Sequence, residues 1–282
     1  MKLFKKIKKE NGRRHIYLCG IKIFSYKGHL KTSSNIILGN SNRIYAIKNG
    51  KKYPIKKVYA DFSIKGKDNE IIFDCNHQDN ILDKVPEGLH LHITGNRNTV
   101  IIEYPIKINN VEINMYDDEN LFSIKRTEHP FANALFSLER GSSVRIGKSC
   151  EIGNGNLFVV ANNCFHEKHT LTIGDYVHIA RDVIIRTSDG QAILDPETNQ
   201  AVNEPKDVHI GNHCWIMTRS MIVKGACLPD NTAVAPYSFV NKAFREEYTL
   251  LAGVPAKILK TNFKWDVLPY AKYMDKHYKK ED

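Results

Sequence analysis

The sequence lacks an apolar run long enough to cross a bilayer. A spanning helix needs roughly 18 or more apolar residues in a row, and no such run occurs among the 282 residues. The basic start also lacks an apolar segment followed by a small-residue cleavage site, which is the pattern of a secretory signal. These absences exclude a transmembrane helix and favour a cytoplasmic protein.

No Cys-x-x-Cys pair is present, although the chain has six cysteines. Their spacing matches neither a zinc site nor a disulfide framework. Cys150, Cys214 and Cys227 lie in repeat-bearing segments, where a small apolar side chain suits a tight interior. We therefore expect free, packed thiols, a reducing compartment and no bound metal.

The net charge of +10 is concentrated at the N-terminus. Residues 1–31 contain ten Lys or Arg and one Glu, a charge of +9, so the rest of the chain is close to neutral. A nucleic-acid-binding protein carries a basic stripe over its folded surface, and we expect no nucleic-acid partner. Residues 1–14 can instead contact an anionic membrane. The alternative is a solvated, partly disordered terminus.

A six-residue repeat organises the second half of the sequence. From residue 210 onward an aliphatic residue returns at every sixth position, and a small residue follows four positions after each of the first five. The aliphatic positions are Ile210, Ile216, Ile222, Leu228, Val234 and Val240. The same spacing occurs upstream at Ile146, Ile152, Ile173, Ile179 and Ile185. A helix repeats every 3.6 residues and a strand every two, so neither explains this register.

The spacing predicts a triangular parallel coil with one hexad on each side and three hexads in a turn. The aliphatic residue of each hexad points inward and stacks on its equivalents in neighbouring turns. The small residue fits where the chain bends. A single turn buries too little apolar surface to be stable alone, so stability comes from stacking.

The repeat divides the chain into four parts. They are a basic lead, a β-rich N-terminal region, the regular coil and a C-terminal cap, at residues 1–31, 32–140, 141–245 and 246–282. Residues 187–207 interrupt the coil as a loop excursion. Short β-rich runs in the second part predict irregular β turns continuous with the coil, or alternatively a separate small β domain. The cap is predicted as a strand, a turn and a short helix over 264–280.

The hexads, the segment GNHCWI and the closing segment AGVPAKILK resemble the bacterial hexapeptide-repeat acyltransferases, and most closely the O-acetyltransferases of surface polysaccharides. The resemblance is strong over about 140–260 and weak before that. It implies an all-β fold, a left-handed parallel β-helix with an irregular β N-terminal part and a short C-terminal helical cap. It also implies a homotrimer with acetyl-CoA bound along the coil, in clefts between protomers.

The resemblance places the family's catalytic histidine directly after Ser-Asp-Gly, where this sequence has Gln191. In the family, the histidine takes the proton from an acceptor hydroxyl as it attacks the thioester, and backbone amides stabilise the oxyanion. A carboxamide has no useful basicity near neutral pH. Three explanations remain open: an engineered His→Gln replacement, a base that has moved to another histidine, and a retired enzyme that only binds.

Other residues are candidates for the catalytic site. His166 and His169 in CFHEKHT can supply a base, with Glu167 to orient it, or can form a solvated charged bulge. Asp189 can position residue 191 or contact the acceptor, or simply cap the turn that leaves the coil. The excursion at 187–207 is itself a site candidate, because loops on rigid scaffolds often carry function.

Trp215 ends the first unbroken hexad and should face outward, where an exposed indole needs a ligand or a subunit contact. By resemblance it lines the donor or acceptor cleft. The other positions that the resemblance assigns to CoA binding are Ala235, Ser238, Lys242, Pro255 and Lys257. The two lysines can meet the CoA phosphates as point charges or be solvated. His178 also ends a hexad, and it can reach a cleft or simply lie on the surface.

The leading hypothesis is an acyl-CoA-dependent O-acyltransferase that acetylates a sugar hydroxyl of a bacterial surface polysaccharide or its precursor. The alternatives are an N-acyltransferase acting on an amino-sugar nucleotide and a retired protein that binds glycan or CoA. A zinc-dependent carbonic anhydrase is a further alternative, although the histidines form no clear ligand set. The basic lead suits work at the inner face of a membrane where such glycans are assembled.

Overall fold

The computed structural model describes residues 41–55, 61–161 and 168–278, together with the backbone of four earlier strands. The chain divides into two units, Met1–Ser34 and Asn35–Asp282. The strands of the first unit are β1 (Lys5–Glu10), β2 (Arg13–Leu18) and β3 (Ile21–Tyr26). They pair in that order as an antiparallel sheet. Where the structure describes it, the basic lead is thus built of strands.

The second unit is a succession of short strands that ends in one helix. The first eleven strands are β4 (Ile36–Leu38), β5 (Arg43–Lys48), β6 (Lys51–Pro54), β7 (Phe62–Lys65), β8 (Glu70–Asp74), β9 (Leu89–Thr94), β10 (Thr99–Glu103), β11 (Lys107–Tyr116), β12 (Leu121–Ile124), β13 (Pro130–Glu139) and β14 (Ser143–Ile146). The next seven are β15 (Glu151–Ile152), β16 (Asn156–Val160), β17 (Thr170–Ile173), β18 (His178–Ile179), β19 (Ile184–Arg186), β20 (Val208–Ile210) and β21 (Trp215–Ile216). The last elements are β22 (Met221–Ile222), β23 (Cys227–Leu228), β24 (Ala233–Val234), β25 (Phe239–Val240), β26 (Leu250–Gly253), β27 (Ala256–Lys260) and α1 (Tyr270–Tyr278).

Equivalent strands of successive coils pair in parallel and form long sheets. One nine-stranded sheet follows one side of the coil in the order β23-β20-β17-β14-β12-β10-β8-β5-β6, and a fifteen-stranded sheet covers the remainder. In the regular part, His209 pairs with Cys227, eighteen residues later. This offset equals three hexads, as the sequence predicts for one turn.

The coil changes from two sides to three at β13. The start of this ten-residue strand pairs with β15 through Phe131 and Ile152. Its remainder pairs with β16, from Ala134 and Asn156 onward. Upstream, the equally long β11 pairs with β13 from Lys107 to Tyr116 except at Asn110, so the coil that contains β11 has one long side in place of two short ones. This flattening explains why the hexads are degenerate before about residue 140.

Inward-pointing apolar residues form continuous columns inside the coil. Alternate residues of a strand face opposite sides, so each column member has an outward-facing neighbour. The three columns of the regular part are Ile146–Ile173–Ile210–Leu228, Ile152–Ile179–Ile216–Val234 and Phe158–Ile185–Ile222–Val240. Every member is at most 2% exposed. The stacked β-helix predicted from the hexads is confirmed.

The small residues at the corners of the coil include cysteines. Burial raises the pKa of the Cys150 thiol and of the Cys214 thiol to about 12. Cys75 and Cys227 are also free thiols. A buried, protonated thiol is a poor nucleophile, so Cys150 and Cys214 serve packing.

A ladder of asparagines fills one corner of the flatter coils. Asn69, Asn98 and Asn120 are buried and stack in successive turns. The Asn69 Oδ1 atom accepts hydrogen bonds from the backbone N–H and the side-chain amide of Asn98, at 2.9 and 3.1 Å. Asn98 repeats this arrangement with Asn120, both at 2.9 Å. The ladder thereby provides hydrogen-bond partners for backbone groups at the bend, which lie outside the strands.

A hairpin and one helix follow the last coil. β26 pairs in parallel with β24 and in antiparallel with β27, so the hairpin extends one side of the coil. Helix α1 is shorter than the predicted 264–280, and none of its residues is buried. In the part of the chain that the structure describes, no helix has the length and apolar character needed to cross a membrane.

Candidate active site

One outward face of the coil aligns three side chains. Glu151, His178 and Trp215 occupy equivalent positions of β15, β18 and β21, and each pairs with the next in register. Their neighbours in sequence belong to a buried column, so the pleat points these three side chains outward. Paired strands lie about 4.8 Å apart. A carboxylate, an imidazole and an indole therefore follow one another along the coil.

Trp215 is half-buried in a cluster of aromatic rings. Its ring centroid lies 5.5 Å from that of Trp265 and 6.4 Å from that of His178. Trp265 stacks on His213 with centroids 4.5 Å apart, and its Nε1 donates a 3.1 Å hydrogen bond to the His213 carbonyl oxygen. The segment before α1 thus folds back onto the coil. The outward indole has a partner within the chain, which is Trp265.

The carboxylate of Glu151 faces two imidazoles. Its Oε2 atom lies 3.2 Å from Nδ1 of His178 and 3.8 Å from Nδ1 of His129. The shorter contact has an ion-pair distance, but the two atoms do not form a hydrogen bond. A cavity of about 350 Å³ opens beside this pair, and its lining includes Glu151, Gly153, Asn154, His178, Arg181 and Thr218.

The excursion at 187–207 lines a second cavity of about 300 Å³. Asp189 Oδ2 lies 2.6 Å from Lys224 Nζ and accepts a 2.8 Å hydrogen bond from Asn203 Nδ2. The hydrogen bonds from Lys224 and then Asn203 lower the pKa of Asp189. Asn203 Nδ2 also donates to the carbonyl oxygen of Gln191 at 2.8 Å. Asp189 and Gln191 therefore share one network, but through the backbone of Gln191, which is an exposed residue.

The two candidate histidines in the segment before β17 are His166 and His169. His166 lies outside the described residues. His169 is 5% exposed, and its Nδ1 lies 3.3 Å from Asp207 Oδ1. The same carboxylate oxygen accepts the backbone N–H of Thr170 at 2.9 Å. The interpretation as a solvated bulge is therefore wrong for His169, whose buried Nε2 has no hydrogen-bond partner within the described ranges.

Residues assigned to CoA binding lie on the last coil and its hairpin. The Ala235 N–H donates to the Leu251 carbonyl oxygen at 2.8 Å. The hydroxyl of Ser238 accepts a 3.2 Å hydrogen bond from the Gly253 N–H. Because Ser238 is buried, this hydroxyl holds the hairpin and does not face solvent. The exposed members of the set are Lys242, Pro255 and Lys257.

Comparison with known proteins decides the family. No family model matches the chain. Over 176 residues the chain is 32% identical to the polysialic acid O-acetyltransferase of Neisseria meningitidis, an alignment that covers 62% of this chain and 78% of that protein. The chain belongs to the hexapeptide-repeat O-acetyltransferases. This membership confirms the family predicted from the hexads and the segments around Trp215 and Pro255.

Two further O-acetyltransferases are similar to the chain. The polysialic acid O-acetyltransferase of Escherichia coli O1:K1 / APEC is 36% identical over 126 residues, which cover 45% of this chain and 39% of that protein. The chain thus spans less than half the length of that relative. The crystal structure of the polySia specific acetyltransferase NeuO has a TM-score of 0.59 at 24% identity, covering 85% of this chain and 95% of that chain. This similarity agrees with the β-helix fold.

Four residues of the candidate site are not predicted from the sequence: Glu151, Asn203, Lys224 and Trp265. A signal for Glu151 exists, because it ends the hexad IGKSCE just as His178 and Trp215 end theirs. Trp265 lies beyond the repeat and has no such signal. Within the described ranges, no three His, Cys, Asp or Glu side chains converge as metal ligands would.

Proposed function

We propose that this O-acetyltransferase uses acetyl-CoA to esterify a sugar hydroxyl of a bacterial surface polysaccharide or its precursor. The supporting observation is the 32% identity with a polysialic acid O-acetyltransferase over 78% of that protein's length. A polymer of sialic acid is therefore the first acceptor to test.

The proposed reaction forms an oxygen–carbon bond and breaks a carbon–sulfur bond. The acceptor hydroxyl oxygen attacks the thioester carbonyl carbon, CoA leaves as its thiolate, and the hydroxyl proton finally passes to the CoA sulfur. We place CoA along the last coil, with the pantetheine arm beside Ala235 and the nucleotide end near Pro255. Lys242 and Lys257, both exposed, supply point charges for its phosphates. Trp215 then borders the acyl group.

The excursion at 187–207 is proposed to frame the acceptor. Lys224 and Asn203 hold the carboxylate of Asp189, so this loop is tied to the coil at its base. Asn203 also fixes the backbone at Gln191. A loop held in this way can present backbone and side-chain groups to a sugar ring without reorganising when the sugar binds.

We further propose a homotrimer that works in the cytoplasm at the inner face of the membrane. Three exposed apolar residues of the last coil and hairpin, Tyr237, Val254 and Leu259, are 62%, 75% and 68% exposed and suit an interface between protomers. The basic residues 1–14 can meet anionic lipid. Light scattering should give a mass of about three times the 32.3 kDa of the chain. Vesicles that contain anionic lipid should bind the chain, and neutral vesicles should not. A mass of one chain would contradict the trimer.

The function is tested with the full chain, acetyl-CoA and a panel of acceptors: polysialic acid, free sialic acid and amino-sugar nucleotides. We expect thiol release that depends on the polysaccharide, with an acetyl group that mild alkali removes, because esters hydrolyse under conditions that leave amides intact. A base-stable acetyl group on an amino sugar would support N-acyl transfer instead. CoA binding by calorimetry without thiol release from any acceptor would support a retired binding protein.

A further inference from the structure

We propose that His178 is the general base of this acyl transfer and that Glu151 positions it. The proposal rests on the O-acetyltransferase function proposed above. It assigns to the coil itself the proton transfer that the family resemblance places at position 191. The observation behind it is the side-by-side placement of a carboxylate, an imidazole and two indoles, of which the carboxylate and the imidazole line an open cavity.

Position 191 cannot accept the proton of the acceptor. The carboxamide of Gln191 has no basic lone pair on nitrogen, and its oxygen only accepts hydrogen bonds. The backbone carbonyl of the same residue is engaged by Asn203. If the chain catalyses the reaction, another group must therefore take the proton.

The contact between Glu151 and His178 places a carboxylate behind the imidazole. Nδ1 of His178 is buried and lies 3.2 Å from Glu151 Oε2, without a hydrogen bond between them. Tightening of this contact when substrate binds would put the proton on Nδ1. With the proton on Nδ1, the lone pair lies on Nε2, and His178 is one of the residues that line the cavity. A carboxylate behind an imidazole fixes the ring and stabilises the imidazolium that forms on proton transfer. Contacts of this kind are commonly loose before substrate binds and tighten in the complex.

The surroundings of His178 suit a thioester and a sugar together. The rings of Trp215 and Trp265 lie with their centroids 6.4 Å from that of the imidazole and give it apolar neighbours. His178 also lines the cavity of about 350 Å³, whose lining includes the polar Asn154 and Arg181. Ligand sites typically combine apolar walls with a few placed polar groups in a volume of about this size.

Three other imidazoles, those of His169, His213 and His77, are less suited to the task. His169 keeps its Nε2 buried, and His213 is stacked within the aromatic cluster. His77 lies 3.3 Å from Glu103, but that carboxylate is also paired with Arg126. His178 combines a carboxylate neighbour, a place in the cavity lining and a ring contact with Trp215, the indole that the family resemblance assigns to the cleft.

In the chemical step, the proton passes from the sugar hydroxyl to His178 and then to the CoA sulfur. His178 Nε2 takes the proton of the sugar hydroxyl as its oxygen attacks the thioester carbonyl carbon. When the tetrahedral intermediate collapses, the carbon–sulfur bond breaks. The imidazolium returns the proton to the departing sulfur, so the products are the sugar acetate and CoA thiol. Glu151 remains ionised throughout.

The test compares His178→Gln with a matched control, His77→Gln, which removes an imidazole from another Glu pair far along the sequence. We expect His178→Gln to lower kcat about 10²–10⁴-fold, with the KM for acetyl-CoA changed less than about threefold. His77→Gln should keep kcat within about twofold. Imidazole added to His178→Ala should restore part of the rate, which a merely structural role for the side chain would not allow.

Glu151 needs a readout that separates positioning from structure. We expect Glu151→Gln to lower kcat about 10–10²-fold, and the double variant Glu151→Gln/His178→Gln to be no slower than His178→Gln alone. When two residues act as one unit, the effects of their substitutions on the rate do not add. A double variant slowed by the product of the two single effects would overturn the positioning role.

Gln191→His separates this inference from the proposed function. Activity of the unchanged chain that is lost in His178→Gln and not increased in Gln191→His supports the inference. If His178→Gln keeps the rate of the unchanged chain, the base lies elsewhere, and the inference fails while acyl transfer stands. The same conclusion follows if only Gln191→His is active and this variant stays active when combined with His178→Gln. If neither the unchanged chain nor Gln191→His releases CoA with any acceptor, the proposed function fails and the inference with it.

Discussion

An Ile210→Asp variant is expected to have no detectable folded population. Ile210 is fully buried in the column that also contains Ile173 and Leu228. An unpaired buried carboxylate costs several kcal/mol, and loss of a buried aliphatic side chain adds about 2–5 kcal/mol. The sum approaches the roughly 5–15 kcal/mol that stabilises a whole domain. Circular dichroism and urea unfolding measure the effect.

The neighbouring residue provides the control for this prediction. His209 precedes Ile210 in β20 and is exposed, so His209→Asp places the same carboxylate on the opposite face of the strand. We expect this variant to unfold within about 1 kcal/mol of the unchanged chain, as exposed substitutions usually do. If both aspartate variants unfolded alike, the inward and outward assignment of the coil would be wrong.

An Asn98→Ala variant is expected to lose on the order of 4 kcal/mol of unfolding free energy, from about 1–3 kcal/mol for each buried polar group left unsatisfied. The Asn98 amide donates to Asn69 Oδ1 and to the Asp117 carbonyl oxygen, at 3.1 and 3.0 Å. Its Oδ1 accepts the backbone N–H and the side-chain amide of Asn120, both at 2.9 Å. Urea unfolding followed by tryptophan fluorescence and far-ultraviolet dichroism measures the loss.

Asn76→Ala is the matched control for the asparagine ladder. The Asn76 side chain also makes two short hydrogen bonds, to Asp74 Oδ1 and from the Asn49 N–H, both at 2.7 Å. Because Asn76 is exposed, water replaces these bonds, and we expect a loss below about 1 kcal/mol. Equal losses in the two variants would show that the ladder adds nothing to an ordinary turn.

The regular coil can be predicted from the sequence because its offset is a multiple of the hexad. Where His209 pairs with Cys227, counting by six finds both the inward columns and the outward positions. Upstream the offset changes: Val100 pairs with Phe122, 22 residues later, and Val144 pairs with Leu171, 27 residues later. Between Val100 and Phe122 one strand of ten residues replaces two hexads, so the alternation of buried and exposed residues can be read from the sequence while the stacking partners cannot.

The candidate site is only partly visible in the sequence, for the same reason. The outward positions of Trp215 and His178 follow from their places in their hexads. Which carboxylate meets His178 depends on an offset of 27 residues, which is not a multiple of six, so no count by six gives it. Trp265 reaches the coil through a segment without periodicity. The significance of Gln191 comes from family resemblance and not from spacing.

A crystal structure of the chain with bound CoA tests most directly whether the coil-borne imidazole serves acetyl transfer. We predict that the CoA sulfur lies within about 6 Å of His178 Nε2, which leaves room for one hydroxyl oxygen in contact with both. A sulfur atom held against Gln191 and Asp189, with every described imidazole out of reach, would contradict this assignment.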